Sequence, residues 1–235
     1  MSHDDFYQSY VAFKSWPADD ANSSDETYEV ELFRGGVSPP ARILEIGFGA
    51  GRFLDWARRR GYSVTGVEVI GELVDRARAA GHAVFQGTPQ TVIDPMTQKF
   101  ELIVAFDVFE HLSVEELVNL LKFLRTILCA KGRILARFPN GGSPFGVCWQ
   151  NSDITHVTTL SAERIRQLAL VAELRVLSVT NAARPTAGSR NRMLKRGAYL
   201  ARDLIEWTVG NLYLGYRVPL DPNLTVLLGT KDVAC

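Results

Sequence analysis

The sequence predicts an α/β protein with a mostly parallel sheet and crossover helices on both faces, and three observations carry that prediction. Short apolar runs alternate with segments of helical period along the middle of the chain. One such run enters a glycine-rich loop that opens directly into an amphipathic segment, the strand–loop–helix unit of nucleotide-type sites. The composition, 46% apolar and 22% charged over 235 residues, is that of a single well-packed domain.

Strands are expected at Ala41–Ile46, Ser63–Val69, Ala83–Phe85, Glu101–Phe106, Arg133–Phe138, Leu174–Thr180 and Thr225–Gly229. Helices are expected between them. After Gly51, Phe53, Leu54, Trp56 and Ala57 fall on one side and Arg52, Arg58, Arg59 and Arg60 largely on the other, with Gly61 as the stop. Ser113 and Glu116 form a capping box for a helix through Leu117, Leu120, Leu121 and Leu124, and Ser161 caps one holding Ile165, Leu168 and Ala169.

The ends differ from the middle. Residues 1–40 mix Phe6, Tyr7, Tyr10, Phe13, Trp16, Tyr28 and Phe33 with a polar stretch and close at Pro39-Pro40, which reads as an N-terminal cap on a domain spanning 41–235. A helical insertion is expected at about 184–218, before the last strand, with apolar residues at Leu194, Ala198, Ala201, Ile205, Thr208 and Leu212. Its apolar face is expected to pack on the domain or across a homodimer, the alternative being a membrane surface.

Charge excludes some functions and localises others. Lys plus Arg (26) equals Asp plus Glu (26), so a dedicated nucleic-acid partner is not expected. Cys129, Cys148 and Cys235 form no disulfide framework, the chain begins with acidic residues, and no long apolar run occurs. A cytoplasmic chain without a transmembrane segment is the expectation. The neutrality is a cancellation, because residues 1–40 hold eight acids against two bases while residues 181–217 hold seven bases against two acids. Two solvated faces, mutual attraction across a cleft, and a basic grip on an anionic acceptor are the alternatives.

The informative stretch is Glu45-Ile46-Gly47-Phe48-Gly49-Ala50-Gly51-Arg52. Its alternate glycines allow a tight turn and close approach to a ligand. Arg52 stands where the dinucleotide fingerprint places its third glycine, which argues against NAD. Glu45 argues further, since two like charges about 4 Å apart at an effective dielectric of about 20 repel by roughly 4 kcal/mol. A ligand carrying an ammonium and a sulfonium has the opposite preference. Glu68, 21 residues after Gly47, can accept hydrogen bonds from both hydroxyls of an adenosine ribose.

Glu-x-Gly-x-Gly-x-Gly followed by Gly66-Val67-Glu68 resembles the cofactor site of the class I S-adenosylmethionine-dependent methyltransferases. The resemblance extends through Phe106-Asp107-Val108-Phe109-Glu110-His111-Leu112, Ala130-Lys131-Gly132-Arg133-Ile134-Leu135, Phe138-Pro139-Asn140 and Asp153-Ile154-Thr155-His156. It implies a Rossmann-like, seven-stranded sheet of order 3-2-1-4-5-7-6 whose last strand is antiparallel. It also implies S-adenosyl-L-methionine as cofactor, with Glu45, Gly47, Gly49 and Gly51 at the methionine part and Glu68 at the ribose. Val69 or Ile70 would cover the adenine, and Asp107 would lie close to the cofactor. Where the family often shows Gly-Asp after the third strand, this chain has Gly87-Thr88, so the Thr88 hydroxyl stands in for a carboxylate at the adenine.

Methyl transfer requires in-line alignment and, for a hydroxyl acceptor, removal of its proton. Asp107, His111 and His156 are the candidate catalytic residues. Glu110, His111 and His156 also make a feasible divalent-metal set, matching metal-binding O-methyltransferases that the Asp107-x-x-Glu110-His111 pattern resembles. The structural alternative is that Glu110 or His111 ties its loop to the next helix. No Asn/Asp-Pro-Pro-aromatic motif follows the fourth strand, which argues against a nucleobase amine acceptor. The aromatic N-terminus, Asp153-Ile154-Thr155-His156 and the basic insertion resemble the methyltransferases of sugar and polysaccharide biosynthesis. The expected activity is methyl transfer to a hydroxyl of a small-molecule or glycan-type acceptor. The rivals are a cofactor-binding scaffold or partner subunit without turnover, and an NAD-linked oxidoreductase.

Overall fold

The structure, a computed structural model, describes residues 21–186 and 191–231. The expectations placed on Phe6, Tyr7, Tyr10, Phe13, Trp16, Arg190 and Cys235 lie outside those residues. The elements run α1 (Ala21–Gly35), β1 (Arg42–Ile46), α2 (Arg52–Arg59), β2 (Ser63–Glu68), α3 (Gly71–Ala79) and β3 (Ala83–Gln86). There follow α4 (Pro89–Val92), β4 (Phe100–Phe106), a 3-10 turn (Phe109–His111), α5 (Val114–Thr126), β5 (Leu128–Pro139) and α6 (Pro144–Gln150). The chain closes with α7 (Ala162–Val171), β6 (Leu174–Asn181), α8 (Arg192–Val209), a π turn (Gly210–Leu214) and β7 (Asn223–Thr230).

The seven strands form one sheet of order β3-β2-β1-β4-β5-β7-β6. The first five are parallel, as in Leu44 opposite Ile103 and Ile103 opposite Ile134, and β7 runs antiparallel to both neighbours, with Leu227 opposite Leu135. This is the order the family resemblance implies.

Because side chains alternate along a strand, each central strand feeds two cores. Leu44, Ile103, Ala105, Ile134 and Val226 join the core under α5 and α7, while Ile43, Leu102, Val104, Leu135 and Leu227 join the core under α1 and α2. The near-continuous apolar runs of β1 and β4 follow from that burial on both faces. Ser113 caps α5 as its spacing predicts, accepting from the Glu116 amide while Glu116 accepts from the Ser113 amide at 2.8 Å.

The described part of the N-terminal segment is helix α1, whose Leu32 is buried in the sheet core. Asp25 and Glu29 pair with Arg59 and Arg60 of α2. Buried Glu31 accepts from the Ala183 amide at 2.6 Å and the Thr225 hydroxyl at 2.9 Å, and Glu26 accepts from the Thr186 amide at 2.6 Å. Arg184 instead pairs with Asp221 and, at 2.8 Å, with Asp203. The two charged segments thus meet through carboxylates on backbone amides.

Helix α8 corrects one expectation. Its apolar residues do not pack on the domain; Glu206 is its buried residue, while Leu194, Leu200, Leu204 and Trp207 are exposed. No helix among the described residues is long and apolar enough to cross a membrane.

Candidate active site

The parallel strands β1, β2 and β4 end side by side, and their carboxyl ends open into a cavity of about 620 Å³. This is the position at which open α/β sheets bind ligands, and the volume suits a small-molecule site.

The floor is the Gly47–Gly51 loop. Gly47, Gly49 and Gly51 have φ of 65°, 52° and 74°, a left-handed conformation that side chains rarely adopt, which explains three glycines at alternate positions. A Cβ at Gly47 would also lie 2.7 Å from Val108 Cγ2. The Gly47 amide donates to the Val67 carbonyl at 2.8 Å and the Gly49 amide to Glu68 Oε2 at 3.1 Å, so β2 holds the loop in place. Gly47 and Gly49 line the cavity; Gly51 sits beneath, as the N-cap of α2.

Two carboxylates face this floor. Glu68 Oε1 accepts from the Val69 and Ile70 amides at 2.7 and 3.1 Å. With the bond from Gly49, three of about four acceptor positions on Glu68 are used and one remains for a ligand hydroxyl. Burial raises its pKa, and the amides from Ile70, Gly49 and Val69 act in the opposite direction. Glu45 is more extreme. It is buried, its Oε2 has no hydrogen-bond partner, and burial followed by the charge of Glu68 pushes its pKa well above the ordinary carboxylate value. A buried carboxylate oxygen without a donor is costly unless a ligand completes it, and the completing group must donate hydrogen bonds, best from a cation. Phosphate is the wrong partner here.

Val69, half exposed at the end of β2, and Thr88 line the neighbouring wall, the Thr88 side chain also capping α4 with Thr91. Asp107 follows β4 with φ of 58°, and its carboxylate is held by Arg137 of β5 through a 3.2 Å bond from Nε and a shorter one from Nη2. Burial opposes the Arg137 charge, but the Asp107 carboxylate outweighs it and raises the guanidinium pKa. The same guanidinium lies 4.9 Å over the Phe106 ring.

His111 lines the cavity and His156 stands behind it, the two rings meeting edge to face at 4.7 Å. Thr155 Oγ1 lies 2.6 Å from Asp153 Oδ1 and 2.9 Å from His111 Nδ1. The hydroxyl hydrogen goes to the carboxylate, so His111 Nδ1 is the donor to Oγ1 and Nε2 carries the lone pair. His156 Nδ1 likewise donates, to the Gln150 carbonyl at 3.0 Å. Glu110, His111 and His156 bring one potential ligand atom each within 4.8 Å of the others, and they are the described residues that could hold a divalent metal. Glu110 also accepts, through its carbonyl, the amides of Val157 and Thr158 at 2.9 and 3.0 Å, which ties the 153–158 loop to the end of β4.

Tyr28 and Arg137 line the cavity and were not among the expected site residues. Tyr28 of α1 stacks on Phe106 at 5.9 Å, and burial, then Glu45, push its pKa up to about 12. Nothing local in the sequence marks it. Arg137 had a signal, a cation following the apolar run Ile134-Leu135-Ala136 near the carboxyl end of its strand.

Residues 29–179 match the family described as "Methyltransferase domain". The comparison with curated proteins finds no match. Among solved structures, a SAM-dependent methyltransferase from Archaeoglobus fulgidus is similar with a TM-score of 0.66 at 15% identity, over 93% of this chain and 98% of that one. An S-adenosylmethionine-dependent methyltransferase from Clostridium acetobutylicum gives 0.61 at 11% identity over 95% and 98%. The CcbJ methyltransferase from Streptomyces caelestis gives 0.59 at 16% identity over 93% and 94%. At these identities the likeness speaks to fold.

Proposed function

The chain belongs to the family of methyltransferase domains, and from that premise we propose that it transfers the methyl group of S-adenosylmethionine to a hydroxyl of a small-molecule or glycan-type acceptor. The observation that carries the cofactor reading is Glu45, a buried carboxylate with an unpartnered oxygen on the floor of the cavity. The residues fit a cationic ligand with an adenosine end: Glu45 would hold the ammonium, Glu68 a ribose hydroxyl at its remaining acceptor position and Val69 the adenine face. Bound S-adenosylmethionine supplies an electrophilic methyl on sulfur. Asp107, fixed by Arg137, borders the same space.

His111 takes the acceptor proton in this reading. It is the histidine on the cavity wall, and Asp153, acting through Thr155, holds its Nδ1 hydrogen so that Nε2 is the basic nitrogen. Asp153 and Thr155 are positioning residues. A second reading, favoured by the close Glu110, His111 and His156 set, gives these side chains to a divalent metal. The polysaccharide or secondary-metabolite setting rests on the N-terminal aromatics and the basic insertion.

Calorimetry tests the cofactor: S-adenosylhomocysteine binds and NAD does not, and Gly49→Val or Glu68→Ala weakens binding by about tenfold or more. Affinity within threefold of the parent in both variants sinks the site assignment. For chemistry, a panel of sugars, quinones and phenols identifies the acceptor. His111→Gln then lowers kcat by about 10²–10⁴ while leaving S-adenosylhomocysteine affinity unchanged. Turnover that survives a chelator removes the metal reading, and turnover that chelator abolishes and added metal restores favours it.

A further inference from the structure

Helix α8 is inside out. At about 100° per residue, Met193, Leu200, Leu204 and Trp207 share one stripe with Leu194 and Ile205 beside it. These residues are 88%, 70%, 62% and 60% exposed for the first four and 72% and 50% for the pair. Tyr199 and Glu206 face the domain, with Asp203 between them and the apolar stripe. Buried Glu206 accepts from Asn181 Nδ2 at 2.6 Å and the Leu220 amide at 2.8 Å, Asp203 accepts from Arg184 at 2.8 Å, and the Tyr199 hydroxyl donates to the Pro185 carbonyl at 3.0 Å. The helix is thus docked by polar contacts and presents its apolar side outward. Leu212 and Tyr213 of the π turn, 73% and 80% exposed, prolong that surface, and Tyr216 follows.

Charge identifies the occupant. Glu206 is turned toward the domain and half-exposed Asp203 is engaged by Arg184 and Arg217, whereas Arg192, Lys195 and Arg196 are exposed and have no ion-pair partner among the described residues. Arg196 adjoins Trp207 at one edge of the apolar stripe with Arg192 behind it, and Arg202, paired with Asp221, lies beyond Ile205 on the other side. A second copy laid on this face would bring these bases together with no unengaged acid of α8 to meet them. An outward apolar stripe with Trp and Tyr, bordered by bases, is the pattern of a helix lying in the interface of an anionic bilayer.

We propose that α8 docks the protein on an anionic lipid surface, its Leu200–Leu204–Trp207 stripe entering the headgroup boundary and Arg192 and Arg196 meeting lipid phosphates. This holds whatever the methyl acceptor.

Vesicle flotation of the full chain tests it, with phosphatidylcholine alone and with added phosphatidylglycerol. The chain floats with the anionic vesicles and far less with the neutral ones, and added salt releases it. Leu204→Glu, at an exposed position, lowers partitioning by about tenfold or more. The double variant Arg192→Gln, Arg196→Gln lowers it by about 30-fold on anionic vesicles only. Circular dichroism confirms that both variants fold. No flotation of the parent, flotation unchanged in both variants, or equal flotation with neutral vesicles overturns the proposal. So does a lipid-free dimer in sedimentation velocity that Leu204→Glu dissociates while vesicles remain unbound.

Discussion

Helices α5 and α8 carry the same kind of amphipathic pattern and are used in opposite ways. In α5, Leu117, Leu120, Leu121 and Leu124 are all buried against the sheet; in α8, Glu206 is buried and the leucines are outside. A helical period shows that a helix has two faces, but it does not say which one meets the protein. For α5 the adjoining strands supply an apolar surface. For α8 the neighbouring segments supply Arg184, Asn181 and the backbone of 220–221, a polar surface that only the polar stripe can satisfy.

The strongest way to break this contrast is to truncate a leucine in each helix. Leu121→Ala in α5 costs about 2–5 kcal/mol, whereas Leu204→Ala in α8 stays within about 0.5 kcal/mol, both measured by urea unfolding of the full chain. Equal costs would mean that α8 packs through its leucines. Next, Glu206→Ala removes the acceptor for Asn181 and Leu220 and weakens α8 docking locally by about 1.5–3 kcal/mol. Amide exchange rises across residues 192–209 while β4 and β5 stay protected. Exchange rising evenly through the sheet would instead make Glu206 part of the global core.

The smallest effect sharpens the contrast between two buried acids, Glu206 with its donors and Glu45 with an oxygen lacking one. Burial, then Glu68, raise the Glu45 pKa above its unfolded value, so the fold holds that proton more tightly than the unfolded chain does. The resulting stability is fully present below the ordinary carboxylate pKa and is lost as pH rises through the raised one. Glu45→Gln therefore flattens this part of the pH–stability curve and stabilises the ligand-free protein near neutral pH by about 1 kcal/mol, while weakening S-adenosylhomocysteine binding in calorimetry. A variant that keeps both the parent pH dependence and the parent affinity would show that Glu45 is structural.

Much of the proposed cofactor side is legible in the chain because its signals are local. Glu45, the alternate glycines and Glu68 lie within 24 consecutive residues, and a strand–turn–helix unit places them by covalent connectivity alone. Asp107 follows the same logic one strand over. The proposed acceptor side is assembled from distant segments: His111 is oriented by Thr155 and Asp153, the cavity is bordered by Tyr28, and Asp107 is held by Arg137. The charge asymmetry between the ends was visible too, but not its use, since the acids of α1 found backbone amides and the arginines of α2.

By itself, the sequence determined the strands, the capped helices, the glycine loop and the carboxylates at the strand ends. Those follow from periodicity, backbone sterics and short-range hydrogen bonding, which act over a few residues. The tertiary structure alone decided which face of α8 is buried, which histidine reaches the cavity and which oxygen of Glu45 is left without a donor. These outcomes depend on the surface each element meets, and that surface is built from parts of the chain far apart in sequence.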